Sequence, residues 1–166
     1  LKEFDVKYVL IGHSERREIF HETDELIAEK LKAALNEGFI PILCVGESLV
    51  VREKGEAHAY CLRQIKEAVA DIVPDDVAKI IIAYEPIWSI GPGKTPADKP
   101  YIEKIARFVK ERTGGLDVVY GGGLKADNAA MLASIADIDG GLIGGASLKP
   151  VDFSKIVAAT AQGACE

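Results

Sequence analysis

Nothing in this 166-residue sequence stays apolar for long enough to cross a bilayer, so no membrane association is expected. Lys and Arg gather into no basic stripe, and the net charge is −6. Nucleic-acid binding is therefore not expected either, since such a chain has little with which to release counterions from a phosphate backbone. A local anion site stays compatible with that charge. Cysteines are few: Cys44, Cys61 and Cys165 are odd in number, far apart and without CxxC or Cys/His ligand spacing. That pattern argues against a disulfide frame or a zinc site and fits reduced thiols in the cytoplasm. The chain starts at Leu1 without Met and shows no basic-then-apolar leader, so no targeting segment is expected. A GxGxxG fingerprint followed by an acidic residue is missing as well, which argues against NAD; no cofactor and no metal are expected.

What is present is an ordinary globular balance, 48% hydrophobic and 28% charged, at a length that suits one domain over residues 1–166. Unbroken apolar runs occur at Tyr8 to Ile11, Ile40 to Val45, Ile80 to Tyr84, Val118 to Tyr120 and, more weakly, Leu142 to Ile143. Such runs lack the alternation of a half-exposed strand and predict parallel strands buried on both faces. A helical pattern follows each. Ile27, Leu31, Ala34 and Leu35 share one face, then Leu62, Ile65, Val69 and Ile72, then Ile102, Ile105, Ala106 and Val109, with shorter patterns at Met131, Leu132 and Ile135 and at Phe153, Ile156 and Val157. Thr23 is placed to cap a helix that Gly38 ends, and Pro74 with Asp75 breaks the next one. The order is βα repeated five times in a single (βα)5 domain. Connections after the first and third strands are long, which directs the search for chemistry to them.

The third strand runs into Ala83-Tyr84-Glu85-Pro86-Ile87-Trp88-Ser89-Ile90-Gly91-Pro92-Gly93-Lys94-Thr95. Taken by itself, Glu85 suits either a structural hydrogen bonder or a base whose strength grows when water is excluded. The first strand leads into Ile11-Gly12-His13-Ser14-Glu15-Arg16-Arg17, where a lone His is ambiguous and Glu15-Arg16-Arg17 reads as a solvated charged turn. Cys44-Val45-Gly46-Glu47 closes the second strand. Tyr120-Gly121-Gly122-Gly123 and Ile143-Gly144-Gly145-Ala146-Ser147 join later strand ends to helices, and glycines there let backbone N–H groups approach an anion.

Together these segments resemble the triosephosphate isomerase family along the whole chain, over its last five βα units and without its first three. The resemblance implies that Glu85 is the proton-abstracting base, on a segment that continues into a mobile lid. His13 would be a neutral imidazole that polarises the substrate carbonyl, a role carried over from the family rather than derived from these residues. Gly91, Gly122, Gly123, Gly144 and Gly145 would grip the substrate phosphate. Glu15, Cys44, Glu47 and Tyr120 would support the site without doing chemistry. Two departures stand out: Gly123 lies where the family usually has a serine that latches the lid, and the family's first-strand asparagine and lysine have no counterpart. The expected function is therefore binding of phosphate or a phosphorylated small molecule with weak or no isomerase turnover. The alternatives are an active isomerase of dihydroxyacetone phosphate and glyceraldehyde phosphate, or a folding fragment without ligand.

Five strands do not close a ring that takes eight strands and ~250 residues. Kept in barrel curvature, their inner faces would expose more apolar area than the few hundred Å² a soluble monomer tolerates. One outcome is a partial barrel completed by oligomerisation. The favoured expectation is an open, Rossmann-like, doubly wound parallel sheet. Since parallel crossovers are right-handed in ~98% of cases, helices on both faces would require one reversal of strand order. Association into a homo-oligomer is expected in both.

Overall fold

The computed structural model describes residues 1–91 and 93–163. It contains five parallel strands, β1 (Tyr8–Ile11), β2 (Ile40–Val45), β3 (Ile81–Tyr84), β4 (Val118–Tyr120) and β5 (Gly140–Gly141), in one open sheet. Between them lie α1 (Ser14–Ile19), α2 (Asp24–Asn36), α3 (Leu49–Glu53), α4 (Ala57–Val69), α5 (Pro74–Val77), α6 (Lys99–Thr113) and α7 (Ala129–Ala133), and α8 (Pro150–Gly163) follows. Local chemistry sets the boundaries. The Thr23 hydroxyl accepts from the Leu26 N–H at 3.3 Å to start α2, and Gly38, at φ +82°, turns the chain after it. The Asp98 carboxylate accepts from Tyr101 N–H at 2.9 Å to start α6, which Gly114 ends in the left-handed region. Pro74 opens the short α5 instead of simply breaking a helix.

The strand order is β1-β2-β3-β4-β5, with Ile11 beside Leu43, Leu43 beside Ile82 and Ile82 beside Val118. The open parallel α/β sheet is as expected, but the reversal of order that a doubly wound sheet needs is not there. With every step in the same direction, right-handed crossovers lay the long crossover helices α2, α4 and α6 on one face. On that face α2 packs against α4 and α4 against α6, each over the strands beside it. A helix moved to the other face would lose those neighbours, and this sideways packing is the physical reason that the order stays sequential, as in part of a barrel.

Burial shows the same asymmetry. The row Ile11, Leu43, Ile82 and Val118 is buried against Ile27, Leu31, Ile65, Ile102, Ile105 and Val109 of the helices. The residues one step along, Leu10, Ile42, Ile81 and Val119, point the other way and are exposed or half-buried. Leu10 leaves 46% of its surface in water.

Three sequence expectations shift. On α4, which packs against both α2 and α6, the buried stripe is Cys61, Gln64, Ile65 and Ala68, while Leu62, Val69 and, past the helix end, Ile72 are only half-buried. The fifth strand centres on Gly140–Gly141 rather than Leu142 to Ile143, with Asp139 N–H on Val118 O and Leu142 N–H on Tyr120 O marking its ends. On α8 only Ile156 of the expected apolar face is buried, while Phe153 and Val157 are exposed. That helix packs on α7 and the Gly145–Leu148 turn at the sheet's edge, where only a narrow stripe is covered. Cys44 and Cys61 are free, buried thiols; Cys165 lies outside the described residues. No helix among the described residues is long and apolar enough to cross a membrane.

Candidate active site

The motif-bearing segments leave the sheet at the C-terminal ends of its strands. After β1 the chain turns at Gly12, whose φ is +76° and where a Cβ would lie 3.0 Å from Arg17 Nη2 and 3.3 Å from Cys44 O. Only glycine suits that turn. It delivers His13 to the N-cap of α1, where the imidazole Nδ1 accepts from the Glu15 N–H at 3.3 Å. Nδ1 therefore carries no proton, and the ring's N–H is on Nε2. That nitrogen lies 3.1 Å from Glu85 Oε1. The other carboxylate oxygen of Glu85 accepts from Ser14 N–H at 3.0 Å.

Glu85 follows β3 directly, and its own N–H is held by Val45 O at 2.8 Å. The residue is 2% exposed. Burial pushes its carboxyl above the usual carboxylate range, against the opposing pull of His13 and the Ser14 N–H. Cys44 abuts the same carboxylate, and burial followed by the charge of Glu85 drives its thiol well up. A thiol so held is a poor nucleophile. Of the residues singled out in the sequence, His13, Glu85 and Cys44 come together here. Glu15 contributes its backbone N–H, while its side chain is exposed.

Glu47 sits deeper, fully buried, as the acceptor of a second cluster. Its carboxylate receives Trp88 Nε1–H at 2.7 Å, the Tyr101 hydroxyl at 2.9 Å, the Tyr84 hydroxyl at 3.1 Å and the Cys61 thiol at 3.8 Å. Burial raises the pKa of Tyr84, Tyr101 and Cys61, and the Glu47 charge adds to each. The Arg52 guanidinium of α3 lies 3.7 Å from the Trp88 ring centre and 4.9 Å from that of Tyr101. Sequence reasoning gave Glu47 a supporting role but missed Cys61, Tyr84, Tyr101 and Arg52 as its companions. The available signal was a set of aromatics with polar tips at a strand end, in the following loop and on the next helix.

The glycine loops divide by their surroundings. The Gly121 N–H is occupied by Tyr84 O at 2.8 Å. A Cβ on Gly122 would lie 2.5 Å from the Tyr120 hydroxyl and 2.8 Å from Pro86 Cγ, so packing alone demands glycine there. Gly123, at φ +30°, accepts from the Asn128 side-chain amide at 3.0 Å. Tyr120 is buried, and its hydroxyl has no partner among the described residues. Gly144 and Gly145 face open space, as does Gly91 at φ +107°. Because β4 and β5 are paired, the Gly122-Gly123 and Gly144-Gly145 loops leave neighbouring strand ends. A reversed strand order would have parted them.

The family model for triosephosphate isomerase matches residues 1–160. Relatives bearing that name include those of Thermoanaerobacter pseudethanolicus, 48% identical over 165 residues (95% of this chain, 66% of its own length), and Chlamydia abortus, 48% identical over 166 residues (95% and 65%). Another, from Chromohalobacter salexigens, is 47% identical over 164 residues (94% and 66%). The chain thus spans about two thirds of the length of the curated relatives it matches.

Proposed function

Because the chain belongs to the triosephosphate isomerase family, we propose that it carries the proton-transfer and phosphate-gripping part of a site for dihydroxyacetone phosphate and glyceraldehyde phosphate. Glu85 takes the proton from the carbon beside the substrate carbonyl, and the His13 Nε2–H donates to the carbonyl oxygen as charge develops there. The enediol so formed collapses when Glu85 returns its proton to the neighbouring carbon and the hydroxyl on the other carbon gives its proton to His13, restoring the ring N–H as the new carbonyl forms. The observation that carries this reading is the His13–Glu85 contact at 3.1 Å with the carboxylate buried. Without substrate the two groups satisfy one another; a carbonyl that takes the His13 N–H releases Glu85 as a base. Gly91, Gly122, Gly123, Gly144 and Gly145 hold the phosphate. No metal or cofactor takes part. A cytoplasmic location, with homo-oligomers joined through the open sheet face, belongs to the same reading.

Taken by themselves, these 166 residues bind phosphate better than they turn over. The bare face at Leu10, Ile42, Ile81 and Val119 lets water near the site, and water weakens every electrostatic interaction that lowers the barrier. Loss of one such donor costs ~10²–10³ in rate, and with Gly123 in place of the family's lid-latching serine as well, turnover at least ~10³ below that of an intact relative is expected in a coupled assay run in both directions. Near-normal rates that vanish in Glu85→Gln would overturn the weak-turnover part. For phosphate, calorimetric titration with glycerol phosphate should lose affinity in Gly144→Val, where an added Cβ meets no protein atom within 4 Å and is free to crowd the anion. Gly122→Val is unsuitable because it collides with Tyr120 and Pro86. Unchanged binding in Gly144→Val places the anion elsewhere.

A further inference from the structure

Arg17 belongs to the turn read from sequence as solvated, yet its side chain is only 15% exposed and all its identified contacts are specific. Its Nε–H donates to Gly12 O at 2.8 Å, Nη2 to Cys44 O at 3.3 Å and Nη1 to Asp24 Oδ1 at 2.5 Å. The first two acceptors lie where the sheet ladder runs out. The β1–β2 pairing ends at Ile11 beside Leu43, and the chain then departs through the positive φ of Gly12. Val45 O accepts the Glu85 N–H from the β3 side, so Cys44 O, one residue earlier, points back toward β1. With β1 ended, no strand N–H is there to meet it, and the guanidinium takes that place.

We infer that Arg17 is a positioning residue, fastening the turn that bears His13 to the end of β2 and thereby setting how His13 Nε2 meets Glu85. Gly12 O is the carbonyl of the peptide that leads into His13, and the side chain of Cys44 abuts Glu85. One planar fork therefore ties the backbone of one member of the pair to the strand that backs the other. Lysine, with a single nitrogen on a flexible stem, does not reach three divergent acceptors at once. Asp24, which Arg63 also approaches at 3.2 Å, balances the charge.

The inference rests on the reading of His13 and Glu85 as the reacting pair, so its test uses a readout that needs no turnover. Long-range ¹H–¹⁵N NMR of the 166-residue chain, with the His13 ring assigned through His13→Gln, should show one tautomer, protonated on Nε2. In Arg17→Lys the ring is expected to average between tautomers, with turnover, where measurable, ~10-fold lower at unchanged KM. Asp24→Asn removes the ion pair but leaves both carbonyl contacts, and should keep the single tautomer. A wild-type His13 spectrum in Arg17→Lys, or loss of the single tautomer in Asp24→Asn to the same extent, overturns the inference by reducing Arg17 to a charge partner. Absence of isomerase activity in the unsubstituted chain would instead count against the isomerase reading and leave the ring geometry to decide this one.

Discussion

Burial raises the carboxyls of two glutamates alike, yet one ends below its ordinary pKa and the other above, and the partners each one has decide the difference. Burial raises the Glu22 carboxyl, but hydrogen bonds and charge from Lys30 and Arg16 more than reverse this and leave it below its ordinary value. Its contribution to stability is therefore present at neutral pH and is lost as pH falls through the folded-state pKa. Glu85 meets a ring N–H and one backbone N–H, and burial wins. Folded protein then holds the Glu85 proton at pH values where the unfolded chain has released it, so this group lowers stability progressively as pH rises from the ordinary glutamate range to the raised value. Glu85→Gln should accordingly make the protein more stable above pH ~5 and flatten its stability profile through that window. Urea unfolding at intervals from pH 4 to 8 measures it, and a variant less stable than the parent at pH 7 would contradict the assignment. Turnover in the same variant should be lost.

At the scale of elements, the carboxylate of Glu47 joins the end of β2 to β3, α4, the loop after Glu85 and α6 through partners 14 to 54 residues away in the chain. Glu47→Leu strands those donors, the Tyr84 hydroxyl in full burial. Since each buried donor left alone costs ~1–3 kcal/mol, while the buried Cys61 thiol is a weak donor and Trp88 and Tyr101 reach some water, a total loss of ~2–4 kcal/mol is expected. Glu47→Gln, which keeps one acceptor oxygen, should cost about half as much; equilibrium denaturation compares the two. Such a hub is hard to read from sequence because its members obey no period. The strands β1 to β4 and the faces of α2 and α6 were legible, since their apolar residues recur at the spacing that burial requires, whereas on α4 only Ile65 of the expected face is buried, beside Cys61, Gln64 and Ala68. The fifth strand was misplaced because two glycines have no apolar side chains to announce it. Of the candidate site, the segments that bring His13 and Glu85 together were legible through their motifs, but Arg17 was hidden in a run of charges whose burial depends on where β1 stops.

For the whole molecule, the sequential strand order gathers α2, α4 and α6 on one face of the sheet, and this is where the expectation of a two-sided sheet failed. Apolar runs that suit burial on both faces do not say what does the burying. Here the helices prefer one another's company on a single side. The exposed row should make the chain self-associate, detectable as a sedimentation coefficient that rises with concentration. Leu10→Lys places a charge on the bare face near an unpaired edge and should suppress that rise while changing stability by no more than ~0.5 kcal/mol. Sedimentation unaltered by the substitution would place the association surface elsewhere. The chain also contains a single tryptophan. That residue, Trp88, is three positions beyond Glu85, bonded to the Glu47 carboxylate and covered by a guanidinium. The protein's ultraviolet emission therefore comes chiefly from one indole in a fixed electric field, so any ligand that draws the loop away from Glu47 reports itself optically, without a label and with no second indole to dilute the signal.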